Sequence, residues 1–416
     1  MSARATTRRP VALVTHSYYD EDPRLTRQAE ALVATGRPVD VFALRREDDP
    51  KETRRGDLRV IRLDVGRHQG AGIAVYLWEY LAFLVRVLFA LVREHPRRRY
   101  AVVSVAAPPD PLVVAALPLR LVGVPVILDL HEATPVFFRT RFPGASNAVT
   151  DAILHAAERV SMSLADVVLS VNRNRHDRLV ELGAPVDKLR IVANGPSLER
   201  FQPSAHPARD FMADGTLRLV YAGAITPLYE LDLVLGAMAR LRVRRPDLVI
   251  TWDLYGRGDA LERLTAITRE LGLEDRVTFH GRVPLEAIPE GIAAADVGMS
   301  PISRNPFTEI SMPTKVLEAA AMRRPVVCAD LPGARDHFDP EMLSWYRSGD
   351  VDSLAAAIER LVDDAAFRER AVETAGVRSH ELSWDREAPG YVALIESLAR
   401  RSPATTPSAR SGEDHR

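Results

Sequence analysis

Cysteine occurs once in this chain of 416 residues, at Cys328, so neither an intrachain disulfide framework nor a cysteine metal cage can form. Cys328 lies in the apolar run Pro325-Val326-Val327-Cys328-Ala329 and reads as a small buried hydrophobe. That scarcity suits a reducing compartment. Lysine is nearly as rare, with only Lys51, Lys188 and Lys315 against a large excess of arginine. Net charge is close to absent too: 55 Lys and Arg face 56 Asp and Glu, giving −1. Bulk attraction to nucleic acid is therefore not implied. A long uninterrupted hydrophobic run is also missing. Residues 71–92 come nearest, but Glu79 and Arg86 interrupt them, so a buried amphipathic helix is expected rather than a membrane span. Arg93, Arg97, Arg98 and Arg99 follow, which leaves docking on an anionic membrane surface as a second reading. The polar, arginine-rich residues 1–10 have no signal-peptide core, and residues 402–416 read as disordered. A cytoplasmic protein is expected, with peripheral contact at the inner face of the cell membrane as the variant of that reading.

What is present is a rhythm. Short apolar runs at residues 11–15, 39–44, 60–63, 101–105, 124–130, 167–171 and 188–192 read as strands. Helical patterns at 23–35, 111–122, 147–165 and 174–182 lie between them. The pattern restarts with strands at 217–222, 249–255, 277–280, 297–300, 325–328 and 343–346, separated by helices at 231–244, 259–271, 285–293, 314–322 and 351–363. Such alternation predicts α/β architecture: two Rossmann-like, doubly wound domains with ligand at the carboxyl ends of their strands. The expected division is 11–200, a linker over 201–215, a second domain over 216–385, and a helix over 386–401 that packs back on the first domain. An interdomain cleft would then hold the site.

Pro313-Thr314-Lys315-Val316-Leu317-Glu318 carries the most chemical information. One of the three lysines stands where a loop gives way to a helix, and a helix start is a natural anion seat. Glu318 follows Lys315 on the same face, three residues on. A diphosphate on the helix start with ribose hydroxyls on the carboxylate fits this pair. A capping interaction from Thr314 plus a surface ion pair fits it as well. Leu128-Asp129-Leu130-His131-Glu132 ends an apolar strand in three polar groups, where an open sheet presents functional residues. Gly223 and Thr226 follow the first strand of the second half, and Gly256-Arg257-Gly258 follows the next; both offer close backbone approach to a ligand. Asp22-Pro23-Arg24 opens a helix, with Asp22 as cap and Arg24 left for binding. Glu309 and Glu318 cannot share one helical face because Pro313 stands between them. No metal-ligand cluster and no local Ser–His–Asp motif is evident in the sequence.

Taken together these residues resemble the glycosyltransferase family 4 group, retaining enzymes of the GT-B fold. The resemblance runs from Val11 to about Ala399. It is carried by Asp22-Pro23-Arg24 with Gln28-Ala29-Glu30-Ala31-Leu32, by Leu128 to Glu132, and by Ala193-Asn194-Gly195 with Phe201. Gly281-Arg282-Val283-Pro284, Pro313 through Glu318, and Arg324-Pro325-Val326-Val327 complete it. Pro313-Thr314-Lys315 matches the subgroup with a proline–serine/threonine–lysine loop. The resemblance implies catalytic roles for His131, Lys315 and Glu318. It implies a nucleotide-sugar donor bound by Gly223, Thr226, Arg257, Val283, Arg304, Pro313, Thr314, Lys315 and Glu318. It implies a carbohydrate, lipid-linked or natural-product acceptor near His16, Asp22, Arg24 and Glu132, with no metal and no cofactor. Three departures stand out. Ala224 and Tyr229 replace basic residues common after the first strand of the donor domain, which throws the diphosphate charge on Lys315, with Arg304 or Arg257 assisting. Ile310 breaks the usual two-glutamate signature. His16-Ser17-Tyr18-Tyr19 replaces a glycine pair in the loop that usually faces the acceptor. Two rivals stay open: a nucleotide-sugar epimerase of the same fold, and a non-catalytic nucleotide-sugar-binding partner.

Overall fold

Two parallel sheets form from the apolar runs, each covered by the amphipathic segments between them, in a computed structural model that describes residues 8–66, 72–131, 134–145, 147–207 and 209–402. Expectations for residues 1–7 and 403–416, and for Glu132, lie outside the described residues. In the N-terminal half the strands are β1 (Val11–Val14), β2 (Val39–Leu44), β3 (Glu52–Arg55), β4 (Leu58–Leu63), β5 (Val102–Ala107), β6 (Val126–Leu130), β7 (Val167–Ser170) and β8 (Leu189–Ile191). The helices there are α1 (Pro23–Ala34), α2 (Ile73–Arg98), α3 (Leu117–Leu121), α4 (Thr134–Arg141), α5 (Ala148–Leu164) and α6 (Arg173–Glu181). The C-terminal half has β9 (Thr216–Ala222), β10 (Val249–Tyr255), β11 (Val277–Gly281), β12 (Val297–Ser300), β13 (Val326–Ala329) and β14 (Ser344–Tyr346). Its helices are α7 (Leu231–Arg244), α8 (Leu261–Glu270), α9 (Ile288–Ala294), α10 (Thr314–Ala321), α11 (Pro332–Arg335), α12 (Val351–Asp363), α13 (Ala365–Glu381) and α14 (Trp384–Arg401).

The first sheet runs β3-β4-β2-β1-β5-β6-β7-β8 and the second β11-β10-β9-β12-β13-β14. All pairings are parallel except β3 with β4. Strand order reverses at β1/β5 and at β9/β12, the two points where an open sheet leaves a crevice beyond its strand ends. The halves are joined twice. Residues 193–201 lead out, and the chain returns at 382–384, where Trp384 donates its amide to the Pro196 carbonyl at 2.9 Å. A side chain on Gly195 would strike the Leu382 carbonyl at 1.8 Å, so the two crossings touch only because that residue is glycine. Past this point α14 packs on the N-terminal half, burying Trp384, Tyr391, Ile395 and Leu398 among its core residues.

Three sequence expectations are corrected. The helix expected over 111–122 is a 3-10 turn, Asp110–Ala116, followed by α3. The polar hairpin strand β3 and the helix α13 were not anticipated. The segment expected to be a buried helix is buried along one narrow face only: α2 continues through Pro96, sinks Phe83, Val87 and Leu91 into the core, and leaves Trp78 and Phe89 each 67% exposed.

Candidate active site

Between the halves lies a cleft of about 1570 Å³, lined from one side by Tyr18, Arg27 and Arg46 and from the other by Gly223, Lys315 and Glu318. Helix α10 brings Lys315 and Glu318 there. Val316, Leu317, Ala319, Ala320 and Ala321 are buried beneath it, and Gly298 on β12 leaves the room that Ala319 fills. From behind, the Ser379 hydroxyl on α13 donates to the Leu317 carbonyl at 2.7 Å. The N-cap is Pro313, buried and with no side chain to offer, and no side chain caps this helix. The capping reading of Thr314 is thus not realised, and the first turn opens toward the cleft with its partial positive charge.

The ammonium of Lys315 makes no hydrogen bond or ion pair among the described residues. It lies 4.1 Å from the centre of the Tyr229 ring and 5.4 Å from that of Tyr221. Tyr229, one of the positions where a basic residue was missed in the sequence, therefore holds the cation that remains. Gly223 completes the seat: at φ 153°, a β-carbon there would come within 2.3 Å of the Lys315 side chain.

Glu318 is half-buried and its carboxylate accepts no hydrogen bond among the described residues. Burial pushes its pKa above the ordinary glutamate value, and Lys315, Arg27 and Arg200 pull it back. Opposite stands Arg27, 4% exposed, which donates to the Asn194 side-chain oxygen. Burial lowers the Arg27 pKa to about 10, with Glu318 opposing and Arg24 and Arg200 adding to the shift. At the cleft mouth Glu21 accepts from Arg46 of its own half and from Arg282 of the other. Arg27, Arg200 and Arg282 all line the cleft; none had a role assigned from the sequence, although Arg282 stands inside a recognised motif. The only signal of the other two was proximity to recognised motifs, and arginine is too common in this chain for that to single them out.

Of the expected donor residues, Gly223, Arg257, Val283, Thr314, Lys315 and Glu318 line the cleft. Thr226 and Pro313 do not: the Thr226 carbonyl closes a turn with the Tyr229 amide at 3.1 Å, and Pro313 is buried as the N-cap of α10. Arg304 is turned away as well, donating to Glu309 at 3.2 Å and to the Asp330 carbonyl at 3.0 Å. Gly256 and Gly258 face the carbonyls of Gly223 and Ile225, so they serve loop-on-loop packing.

The acceptor-side expectations fare differently. Arg24 is buried and forms a two-pronged pair with Asp129 at 2.8 and 3.1 Å, while its third nitrogen reaches the Val192 carbonyl at 2.8 Å. Gln28 adds a donor to Asp129 at 2.6 Å. Burial would raise the Asp129 pKa, but Arg24 and His131 hold it well below the usual carboxylate range. Asp22 caps α1, accepting from the Leu25 amide and from Thr15, each at 3.0 Å. His16 is buried edge-on against Tyr80 and Phe83, with ring centres 4.4 and 5.0 Å away. None of these three lines the cleft, and neither does His131, whose Nε2 lies 3.3 Å from Asp129. The His131 carbonyl is instead held by Arg175, which also donates to Ser311 across the gap at 3.1 Å. Among the described residues no three His, Cys, Asp or Glu side chains are grouped to hold a metal ion.

Residues 22–195 match the family described as Glycosyl transferase 4-like domain, and residues 216–364 match that described as Glycosyl transferases group 1. The chain is 26% identical over 307 residues to D-inositol 3-phosphate glycosyltransferase of Xylanimonas cellulosilytica, a match spanning 68% of each chain. It is 28% identical over 268 residues to alpha-D-kanosaminyltransferase of Streptomyces kanamyceticus, spanning 62% of this chain and 66% of that one. Among solved structures, sucrose-phosphate synthase from Thermosynechococcus elongatus superposes with a TM-score of 0.77 at 21% identity, over 95% of this chain and 100% of the other. Anabaena HepE in complex with UDP and glucose gives 0.66 at 15% identity, over 93% and 99%. These two share the two-sheet fold.

Proposed function

We propose that this chain, which belongs to the group 1, family 4 glycosyltransferases of GT-B fold, moves a hexose from a UDP- or GDP-sugar to an acceptor hydroxyl with retention at the anomeric carbon. The observation that carries the reading is Lys315: a lone ammonium at an uncapped helix start, held over Tyr229 and directed by Gly223 into an interdomain cleft. The donor diphosphate would lie on that helix start, with Arg257 as the second cation from the same wall. Glu318, whose carboxylate accepts no hydrogen bond among the described residues, would accept from the ribose hydroxyls. HepE, a relative in fold, was solved with UDP and glucose, and the two similar enzymes named above are a D-inositol 3-phosphate glycosyltransferase and an alpha-D-kanosaminyltransferase. Both support a nucleotide-sugar donor here.

In the proposed step the bond from the anomeric carbon to the phosphate oxygen breaks and a bond to the acceptor oxygen forms on the same face. The acceptor proton passes to the departing phosphate. Negative charge grows on that phosphate as the bond lengthens, so Lys315 and the helix start stabilise the transition state more than the bound donor. A thermal-shift panel with UDP, GDP, dTDP and ADP tests the donor class. UDP or GDP is expected to raise the melting temperature by several degrees, and the matching nucleotide sugar to release free nucleotide diphosphate on incubation. No shift with any of the four, or an epimerised donor without nucleotide release, would contradict the assignment.

A further inference from the structure

Helix α2 is the longest in the molecule and is apolar enough by composition to cross a membrane, with a mean hydropathy of 1.9 over its best window. It does not cross one in this fold, because its inner face belongs to the core. Its outer face is the anomaly. Trp78, Leu81, Val85, Phe89 and Val92, spaced three or four residues apart, form one continuous exposed stripe. From Trp78 to Val92 the stripe runs ~21 Å along the helix, so it is a contiguous patch rather than the scattered exposed hydrophobics of an ordinary surface. Arg86, Arg93 and Arg97, all exposed, run along one flank of it. The two acids of α2 are withdrawn: Glu79 is buried, and Glu94 is paired to Arg59 at 2.5 Å.

A second helix repeats the arrangement. α5 and α2 both pack on the turn Asp110–Ala116, on the same face of the first sheet. The exposed side of α5 carries Val149 at 68%, Ile153 at 60% and Val160 at 57%, with Arg159 beside them. Its acids are again engaged, Glu158 buried on Arg178 at 2.8 Å and Asp151 near Arg139 at 3.5 Å. Two neighbouring helices thus present aliphatic and aromatic surface with arginine as the only exposed charge.

We infer that the outer faces of α2 and α5 dock on an anionic lipid bilayer, with α2 lying in the plane of the interface. Apolar side chains along the stripe reach below the headgroups while the flanking arginines meet lipid phosphates, the division of labour of an interfacial helix. A second copy of this chain fits less well. A two-fold interface would bring the same arginine-bearing face against itself with no exposed acid on either helix to compensate. The placement also has a consequence for the cleft. Tyr80 in α2 packs on His16, whose neighbour Ser17 lines the cleft, so a docked bilayer lies beside the N-terminal wall rather than the Lys315 wall.

Vesicle flotation of the full chain decides the matter without depending on the transferase reading. The wild type is expected to float with phosphatidylcholine vesicles containing roughly one third phosphatidylglycerol, and to bind pure phosphatidylcholine at least about tenfold more weakly. Trp78→Asp with Phe89→Asp should abolish flotation, and Arg86→Glu with Arg93→Glu should remove the preference for anionic vesicles. Circular dichroism melts of both variants should match the wild type, because the altered side chains are exposed. Absence of flotation by the wild type would overturn the proposal, as would undiminished flotation of the double-Asp variant. A concentration-dependent dimer that the Asp substitutions abolish, with no vesicle binding, would assign the face to a second copy instead.

Discussion

Arg24 shows how a polar side chain close to a cleft can serve the fold alone. Its guanidinium spends all three nitrogens on Asp129 and the Val192 carbonyl, and both members of the ion pair are nearly inaccessible to water. Removing one partner of such a pair strands the other charge in the interior. Arg24→Ala is therefore expected to destabilise the chain by roughly 3–5 kcal/mol at neutral pH, read by denaturant unfolding. The sign of its pH dependence follows from Asp129, whose folded pKa lies below its unfolded value of about 4. The pair's contribution is complete above that unfolded value and drains away as pH falls toward the folded one, so wild type and variant should converge in acid. An unaltered unfolding midpoint with lost transfer activity would instead restore Arg24 to acceptor binding.

At the level of elements, α10 and the loop after β9 form one unit. Gly223 occupies the left-handed region, and its missing side chain is the space that Lys315 fills. Gly223→Ala adds backbone strain of roughly 1–2 kcal/mol and pushes the flexible end of Lys315 off its aromatic seat. A turnover loss of about tenfold or more with only a small drop in melting temperature is the expected result; steady-state kinetics on the folded variant check it. Unchanged turnover would separate Gly223 from the cation it abuts. The same elements explain what the sequence disclosed. Buried parallel strands such as β1 and β13 read as uninterrupted apolar runs, and α7 and α12 have the spacing their burial requires. The hairpin strand β3 is polar and mostly exposed, so no hydrophobic period marked it. Lys315 and Glu318 were legible because helix geometry alone ties them together. The partners of Arg24 and Arg27 lie 105 and 167 residues away in the chain, a relation no local pattern encodes.

Across the whole molecule, the two halves meet around the cleft through contacts of different character. Glu21 with Arg282 closes one side by charge, and Arg175 ties the His131 carbonyl to Ser311 on another. Val136, Phe307, Leu228 and Ile310 form a small apolar cluster where α4 nears the C-terminal half. In the proposed function one half would present a cation to the leaving group while the other would hold the acceptor. Single-turnover transfer by Lys315→Ala, with donor saturating, tests that claim most directly. The chemical step should slow by at least about a hundredfold while binding of the intact nucleotide sugar by calorimetry weakens far less, because the ammonium meets more negative charge on the phosphate as the bond breaks than in the bound donor. A transfer rate equal to that of the wild type would contradict it.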